Sequence, residues 1–518
     1  MARFVRWTAL GAAAALLVGG CSRGSSSDDG KGGGRTSATA SPSSGSLGTT
    51  AALPSSLTAQ KLAWGRCKAT DDSPAPGNDW QCATLKVPLD WSKPQGETMG
   101  LALIRAEARG GKRIGSLLFN FGGPGAPGVS YLPSFGPTFA KLREQYDLVS
   151  WDPRGVGSSG GIRCRGDKEI QAAESVDTTP DTPAEEKAYL QDAVDFGKGC
   201  QKAAGKLLSH ASTTDTARDM DLMRQVLGDS QMHYFGISYG TELGGVYAHL
   251  FPKRVARLVL DAVVDPSADM VGHAENQARG FQRALDDYLK STGQDPAQGS
   301  RKISALLKRI DTRPLPTSSG RKLTQTLTLT GLTYPLYSRQ SWPSLTSALN
   351  AAEDGDGSEL LSLADGYNGR DASGHYETTT HSQRVISCSD SKLRPAPAET
   401  KKRLAQFEKI SPVFGDFMGW DTAGWCHDWP VAGQWDTPPA SAPGAPPILV
   451  VGNTGDPATP YEGARKMADE LGKGVGVELT WKGEGHGAYG NGSDCVDSTV
   501  NAYLLNGKVP KDGKVCAS

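Results

Sequence analysis

From about residue 57 the chain alternates short apolar, β-branched runs with stretches whose apolar residues recur at helical spacing. The runs Leu85–Leu89, Met99–Ala106, Ser116–Asn120, Tyr146–Trp151, Met232–Phe235 and Arg257–Asp261 suit strands. After a long interval, Pro447–Val451 and Val477–Trp481 complete the set. Alternation of this kind predicts an α/β fold, a largely parallel sheet covered by helices on both faces. No internal repeat is visible.

The interval between the sixth and seventh of these strands has a different texture. Phe281–Leu289 and Ile303–Ile310 read as helices, 353–358 and 366–374 are turn-rich, and 437–447 is rich in proline. Because strand-like runs resume after it, residues 266–440 are expected to be a mainly helical cap inserted into one sheet. The core is then expected at 57–265 and 441–518. Ahead of it, a basic start (Met1–Arg6), an apolar run (Trp7–Val18) and Gly19-Gly20-Cys21 describe an export signal ending in a lipobox. On that reading 1–21 is the signal peptide, Cys21 carries the lipid and 22–56, rich in Ser and Gly, is a flexible tether.

Several loops at the strand ends carry chemistry. Gly236-Ile237-Ser238-Tyr239-Gly240 follows a strand and opens a helical run, as a nucleophile elbow does, and makes Ser238 the candidate nucleophile. Past the next-to-last strand stands Asp456, in Gly452-Asn453-Thr454-Gly455-Asp456-Pro457. Past the last stands His486, in Gly483-Glu484-Gly485-His486-Gly487. Serine, acid and base in that order can divide nucleophile, orienting carboxylate and general base among themselves. Asp261 and Asp265, after the sixth strand, are the rival acids. An oxyanion hole is expected from the backbone N–H of Tyr239 and of Gly123, the latter in Phe121-Gly122-Gly123-Pro124-Gly125, where missing side chains let backbone approach.

Net charge is −1 and the pI about 6.7, without a basic stripe, which argues against nucleic acid as a partner. Of nine cysteines, one is the proposed lipid site. The rest form an even set, as in exported disulfide-bonded chains. Local closure costs the least chain entropy and favours Cys67–Cys82, Cys164–Cys200, Cys388–Cys426 and Cys495–Cys516. No Cys-x-x-Cys pair occurs, and no metal is called for.

Together with Trp151-Asp152-Pro153-Arg154-Gly155, these motifs resemble the proline iminopeptidase family of serine peptidases, closest to the tripeptidyl aminopeptidases and cell-envelope lipoprotein hydrolases of actinomycetes. The resemblance spans nearly everything from residue 57 onward. It implies an α/β-hydrolase core with a helical cap, no cofactor, and release of short fragments, tripeptides in the first place, from the free N-termini of peptides or small proteins. The lipid anchor would hold the enzyme on the outer face of the cell membrane. Phe121 departs from the histidine that usually precedes Gly-Gly-Pro-Gly, which shifts the match toward the tripeptidyl branch. Thr459 matches a Thr-Pro pair of that branch; its simpler role would be to cap a helix beginning near Pro460.

An enzyme that reads a free ammonium needs a carboxylate at the closed end of its cleft. Glu242 and Asp390 are the candidates, each with a plain structural role as the alternative. Trp420, Trp425, Trp429 and Trp435 are expected to anchor the cap rather than line a subsite. An esterase on the same scaffold and a non-catalytic surface binding protein are the competing functions.

Overall fold

The structure is a computed structural model and describes residues 53–70 and 73–517. The signal peptide, Cys21 and all but the end of the tether lie outside the described residues. Among the described residues twelve strands occur in chain order: β1 (Gly65–Arg66), β2 (Gln81–Pro88), β3 (Thr98–Ala106), β4 (Gly115–Asn120), β5 (Tyr146–Trp151), β6 (Met232–Ile237), β7 (Val255–Asp261), β8 (Leu315–Pro316), β9 (Lys322–Leu323), β10 (Ile448–Gly455), β11 (Gly476–Glu484) and β12 (Lys514–Cys516). Ten of them form one sheet, ordered β1-β2-β3-β5-β4-β6-β7-β10-β11-β12, and β8 and β9 pair apart from it. β1, β2 and β3 are antiparallel to their neighbours, and the sheet is parallel from β5 to β12. This is the α/β-hydrolase arrangement.

The central strands β4 and β5 are buried along their whole length, the physical reason they read as mostly apolar runs rather than as alternating ones. β1 and β12 left no such trace, being two and three residues long. Disulfides hold both: Cys67–Cys82 ties the end of β1 to β2, and Cys495–Cys516 ties β12 to the helix Asp494–Asn506. Cys164–Cys200 and Cys388–Cys426 complete the local pairing expected from the sequence.

Between β7 and β10 the chain is mainly helical. The stretches read at Phe281–Leu289 and Ile303–Ile310 lie within helices Met270–Ser291 and Pro296–Thr312. Asp269 and Asp295 cap them by accepting from the backbone N–H groups of Gly272 and Gln298. The apolar interior of this layer also takes in Ile162, Cys164, Phe196, Cys200 and Leu208, so the segment after β5 packs with the helices of 270–424. Helix Thr379–Asp390 lies against the glycine loop after β4: a Cβ on Gly125 would stand 2.8 Å from the Gln383 nitrogen. The helix therefore delivers its last residue, Asp390, to the sheet edge.

Arg154, in the loop after β5, is fully buried. Its guanidinium donates through Nε and an Nη to the two oxygens of Asp219, each at 2.7 Å, and to the carbonyls of Pro88, Leu89 and His210. Asp219 belongs to helix Thr213–Val226, so one forked pair locks that helix to the end of β2 and to the loop after β5. Removing one partner of such a pair leaves a buried charge uncompensated, which costs about 3–5 kcal/mol. Asp219→Ala is expected to lose that much in urea unfolding, while an exposed control such as Asp354→Ala changes stability by less than about 0.5 kcal/mol.

Candidate active site

Ser238 directly follows β6 and precedes helix Tyr239–Leu250. Its φ of 58° and ψ of −127° lie in a region costly for a residue with a Cβ. Surrounding bonds hold it there. The Ser238 N–H donates to the Asp261 carbonyl at 3.0 Å, and the Ser238 carbonyl accepts from the Thr241 N–H and hydroxyl at 2.8 and 2.7 Å. A Cβ on Gly236 would stand 2.2 Å from the Gly240 oxygen, so the turn closes only with glycine there.

The glycine loop after β4 lies directly on this elbow. A Cβ on Gly122 (φ 87°) would stand 2.8 Å from the Ser238 Cβ and 3.2 Å from the Tyr239 nitrogen. The two proposed oxyanion donors, the Gly123 and Tyr239 N–H groups, are thus on segments in mutual contact.

Asp456 and His486 meet. The imidazole Nδ1 stands 2.9 and 3.0 Å from the two carboxylate oxygens, and Asp456 also accepts from the backbone N–H groups of Ala458, Thr459 and Gly487. Thr459 does not cap a helix. The helix starts at Glu462 with no side-chain cap, and the Thr459 hydroxyl lies 3.4 Å from His486 Nδ1. Burial pushes the His486 pKa down, but the charge and hydrogen bond of Asp456, with the charge of Asp261, overcome it and leave it above the ordinary histidine value.

Asp261, the rival acid, serves otherwise. Its carboxylate accepts from the N–H groups of Ala488 and Tyr489, while its carbonyl accepts from Ser238 N–H. It ties the serine to the histidine loop. Asp265 is engaged by Lys466 at 2.6 Å and by Ser267. Sequence reasoning missed Tyr337, whose carbonyl accepts from His486 N–H at 2.9 Å and whose ring meets the imidazole edge-on. It comes from the cap, and no local motif marks it.

Ser238 opens into a cavity of about 870 Å³, mouth included, whose walls bring in both proposed ammonium ligands, Glu242 and Asp390. Asp265, Asp436 and Glu462 add to its acidity. Glu242 has no hydrogen-bond partner among the described residues. Burial and then the neighbouring Asp390 push its pKa up to about 8. Burial raises Asp390 to about 7, although Thr213 donates to it from its N–H at 2.9 Å and its hydroxyl at 2.6 Å. Of the four tryptophans, Trp420, Trp425 and Trp429 pack within the cap against Tyr189, Arg384 and Phe196. Trp435 instead stands in the cavity wall.

The family model described as TAP-like protein matches residues 411–516. Serine protease Hip1 of Mycobacterium tuberculosis is 34% identical over 88% of this chain and 91% of its own length. Carboxylesterase B of the same species is 36% identical over 89% and 91%. Tripeptidyl aminopeptidase of Streptomyces lividans is 30% identical over 88% and 86%. The chain belongs to the TAP-like family of α/β-hydrolases. It is a serine hydrolase, and the relatives' names divide between peptide and ester chemistry.

For this TAP-like hydrolase the raised His486 pKa fixes the sign of a pH dependence. A general base works only when neutral, so the rate falls as pH drops through its pKa. The acid limb for fluorophosphonate labelling of Ser238 is expected to have its midpoint above about 6.5. Asp456→Asn should move that limb down and slow labelling by about 10⁴-fold. A midpoint at or below the free histidine value would remove His486 as the base.

Proposed function

We propose that this protein is an exported serine aminopeptidase that releases short fragments, tripeptides in the first place, from free peptide N-termini through an acyl-enzyme. Ser238 attacks the scissile carbonyl, with His486 taking its proton and returning it to the leaving amine. Asp456 holds the imidazole tautomer and stabilises the imidazolium. The N–H groups of Tyr239 and Gly123 receive the oxyanion. Water then releases the fragment by the same steps in reverse.

One observation carries the peptidase reading: the carboxylates of Glu242 and Asp390 line the cavity into which Ser238 opens. Glu242 is one helical turn beyond the serine, a rise of about 6 Å. Partly desolvated carboxylates without a cation gain from receiving one, and an α-ammonium is the cation a peptide N-terminus supplies. An ester substrate needs no such group. The names of the Hip1 and tripeptidyl aminopeptidase relatives point the same way. The Carboxylesterase B relative favours the alternative, an acyl hydrolase indifferent to charge. Export with a lipid on Cys21 is supported by the signal-like start and by four disulfides, which persist in oxidising compartments.

The deciding experiment compares a free tripeptide p-nitroanilide, its N-acetylated twin and a short acyl ester, with Ser238→Ala as the inactive control. The free peptide should be preferred by about 100-fold or more in kcat/KM. Glu242→Gln should erase most of that preference by raising KM, since truncating one side of a desolvated ion pair costs at least about 2 kcal/mol. Because carboxylates with raised pKa values protonate as pH falls, KM for the free peptide should rise below about pH 7 to 8, and KM for the acetylated one should not. Equal turnover of the free and blocked peptides, or faster turnover of the ester, rejects the aminopeptidase reading.

A further inference from the structure

Tyr239 stands directly after the nucleophile, and its side chain is buried. Its hydroxyl is in short hydrogen-bond contact with the Thr213 hydroxyl, which in turn lies 2.6 Å from Asp390 Oδ2. The Thr213 N–H, at the start of helix Thr213–Val226, donates to the other oxygen of the same carboxylate at 2.9 Å. An unbroken chain of hydrogen bonds therefore runs from a carboxylate in the cavity wall to the residue whose backbone N–H is the proposed oxyanion donor.

We infer that Thr213 is a positioning residue that relays occupancy of Asp390 to Tyr239, so that a bound ammonium raises turnover as well as binding. The inference rests on the proposed recognition of an amine at Glu242 and Asp390. Its physical basis is the proton inventory of the chain. A threonine hydroxyl has one proton to donate. When Asp390 is ionised, Thr213 donates to it, and Tyr239 donates to Thr213. When Asp390 carries a proton, the order can run the other way, with Asp390 donating to Thr213 and Thr213 to Tyr239. A cation held at Asp390 selects the ionised form and hence one polarity of the whole chain, which fixes the ring and backbone of Tyr239.

The groups facing Asp390 make its charge responsive. Glu242 and Tyr239 approach from the elbow helix and Asp215 from helix Thr213–Val226, while Asp436 lies on the same cavity. Near neutral pH Asp390 sits close to half-protonation at about 7, where a single added cation changes its state most. Arg154, fully buried, is 3.9 Å from Asp215 and engages Asp219 on the same helix.

The test uses the full enzyme, free and N-acetylated tripeptide p-nitroanilides, and the variants Thr213→Val and Thr213→Ser. Thr213→Val removes the hydroxyl and keeps the N–H bond to Asp390. It is expected to lower kcat on the free peptide by about tenfold, with KM within about twofold and the acetylated peptide little affected. The rise of KM below about pH 7 to 8 should remain, because the N–H bond to Asp390 is kept. Thr213→Ser should restore kcat, and fluorophosphonate labelling of Ser238, which involves no amine, should proceed at the wild-type rate in every variant.

If Thr213→Val keeps the full advantage of the free over the acetylated peptide in kcat, or slows both substrates and the fluorophosphonate alike, the relay is overturned and amine recognition stands. If the wild-type enzyme turns over both peptides alike, amine recognition itself falls, and the relay with it.

Discussion

The backbone at Ser238 is the constraint around which the rest is arranged. A serine with a φ of 58° is unfavourable by itself, of order 1–3 kcal/mol, and persists only where neighbours over-determine it. Here they come from three strands. Gly236 on β6 lets the following helix close onto the strand, the Asp261 carbonyl at the end of β7 takes the serine N–H, and Gly122 after β4 presses on its far side. Each is at the C-terminal edge of the parallel part of the sheet, and the order β4-β6-β7 puts the nucleophile strand between the other two. The sheet order therefore sets the glycine loop after β4 and the Asp261 tether to the histidine loop on opposite sides of one residue.

Asp261 shows how two functions share a residue. Its main chain completes the elbow and its side chain gathers the N–H groups just beyond His486. Burial raises its pKa to about 6, while those N–H bonds pull the other way. Its carboxylate meets the backbone just beyond the histidine and not the imidazole. That separates it physically from Asp456, which accepts the imidazole directly and is held by three backbone donors.

The strands, the elbow and the Asp456 and His486 loops were legible because their signals are local. A buried strand is an apolar run, and a loop that must bring backbone close is written in glycine. β1 and β12 were not legible because two or three residues make no pattern, and their disulfides are visible only as cysteines. The cap was legible as a change of texture but not as a contributor to the site. Tyr337 reaches the His486 loop through a carbonyl, which any residue could supply. Thr213 and Asp390 meet from positions far apart in the chain, with nothing in either neighbourhood to announce the contact. The expectation that the tryptophans anchor the cap holds for three and misses Trp435, because composition cannot tell which side of a wall a ring faces.

The acidity of the cavity follows from the same architecture. Glu242 is placed by the elbow helix and Asp390 by a cap helix whose path is fixed by the glycine loop beneath it. Of the lining acids, Asp265 is engaged by Lys466 and Glu462 by Arg283 from outside the cavity. Burial lowers the pKa of His273, the lining imidazole, to about 4, so it stays neutral and adds no cation. Glu242 and Asp390 thus line the cavity without a cationic partner among the described residues, and burial favours their protonated forms near neutral pH. A ligand carrying positive charge would favour the ionised forms of both. On the proposed reading a neutral acyl group of the same shape leaves Glu242 and Asp390 as they are, whereas an ammonium changes the energy of both.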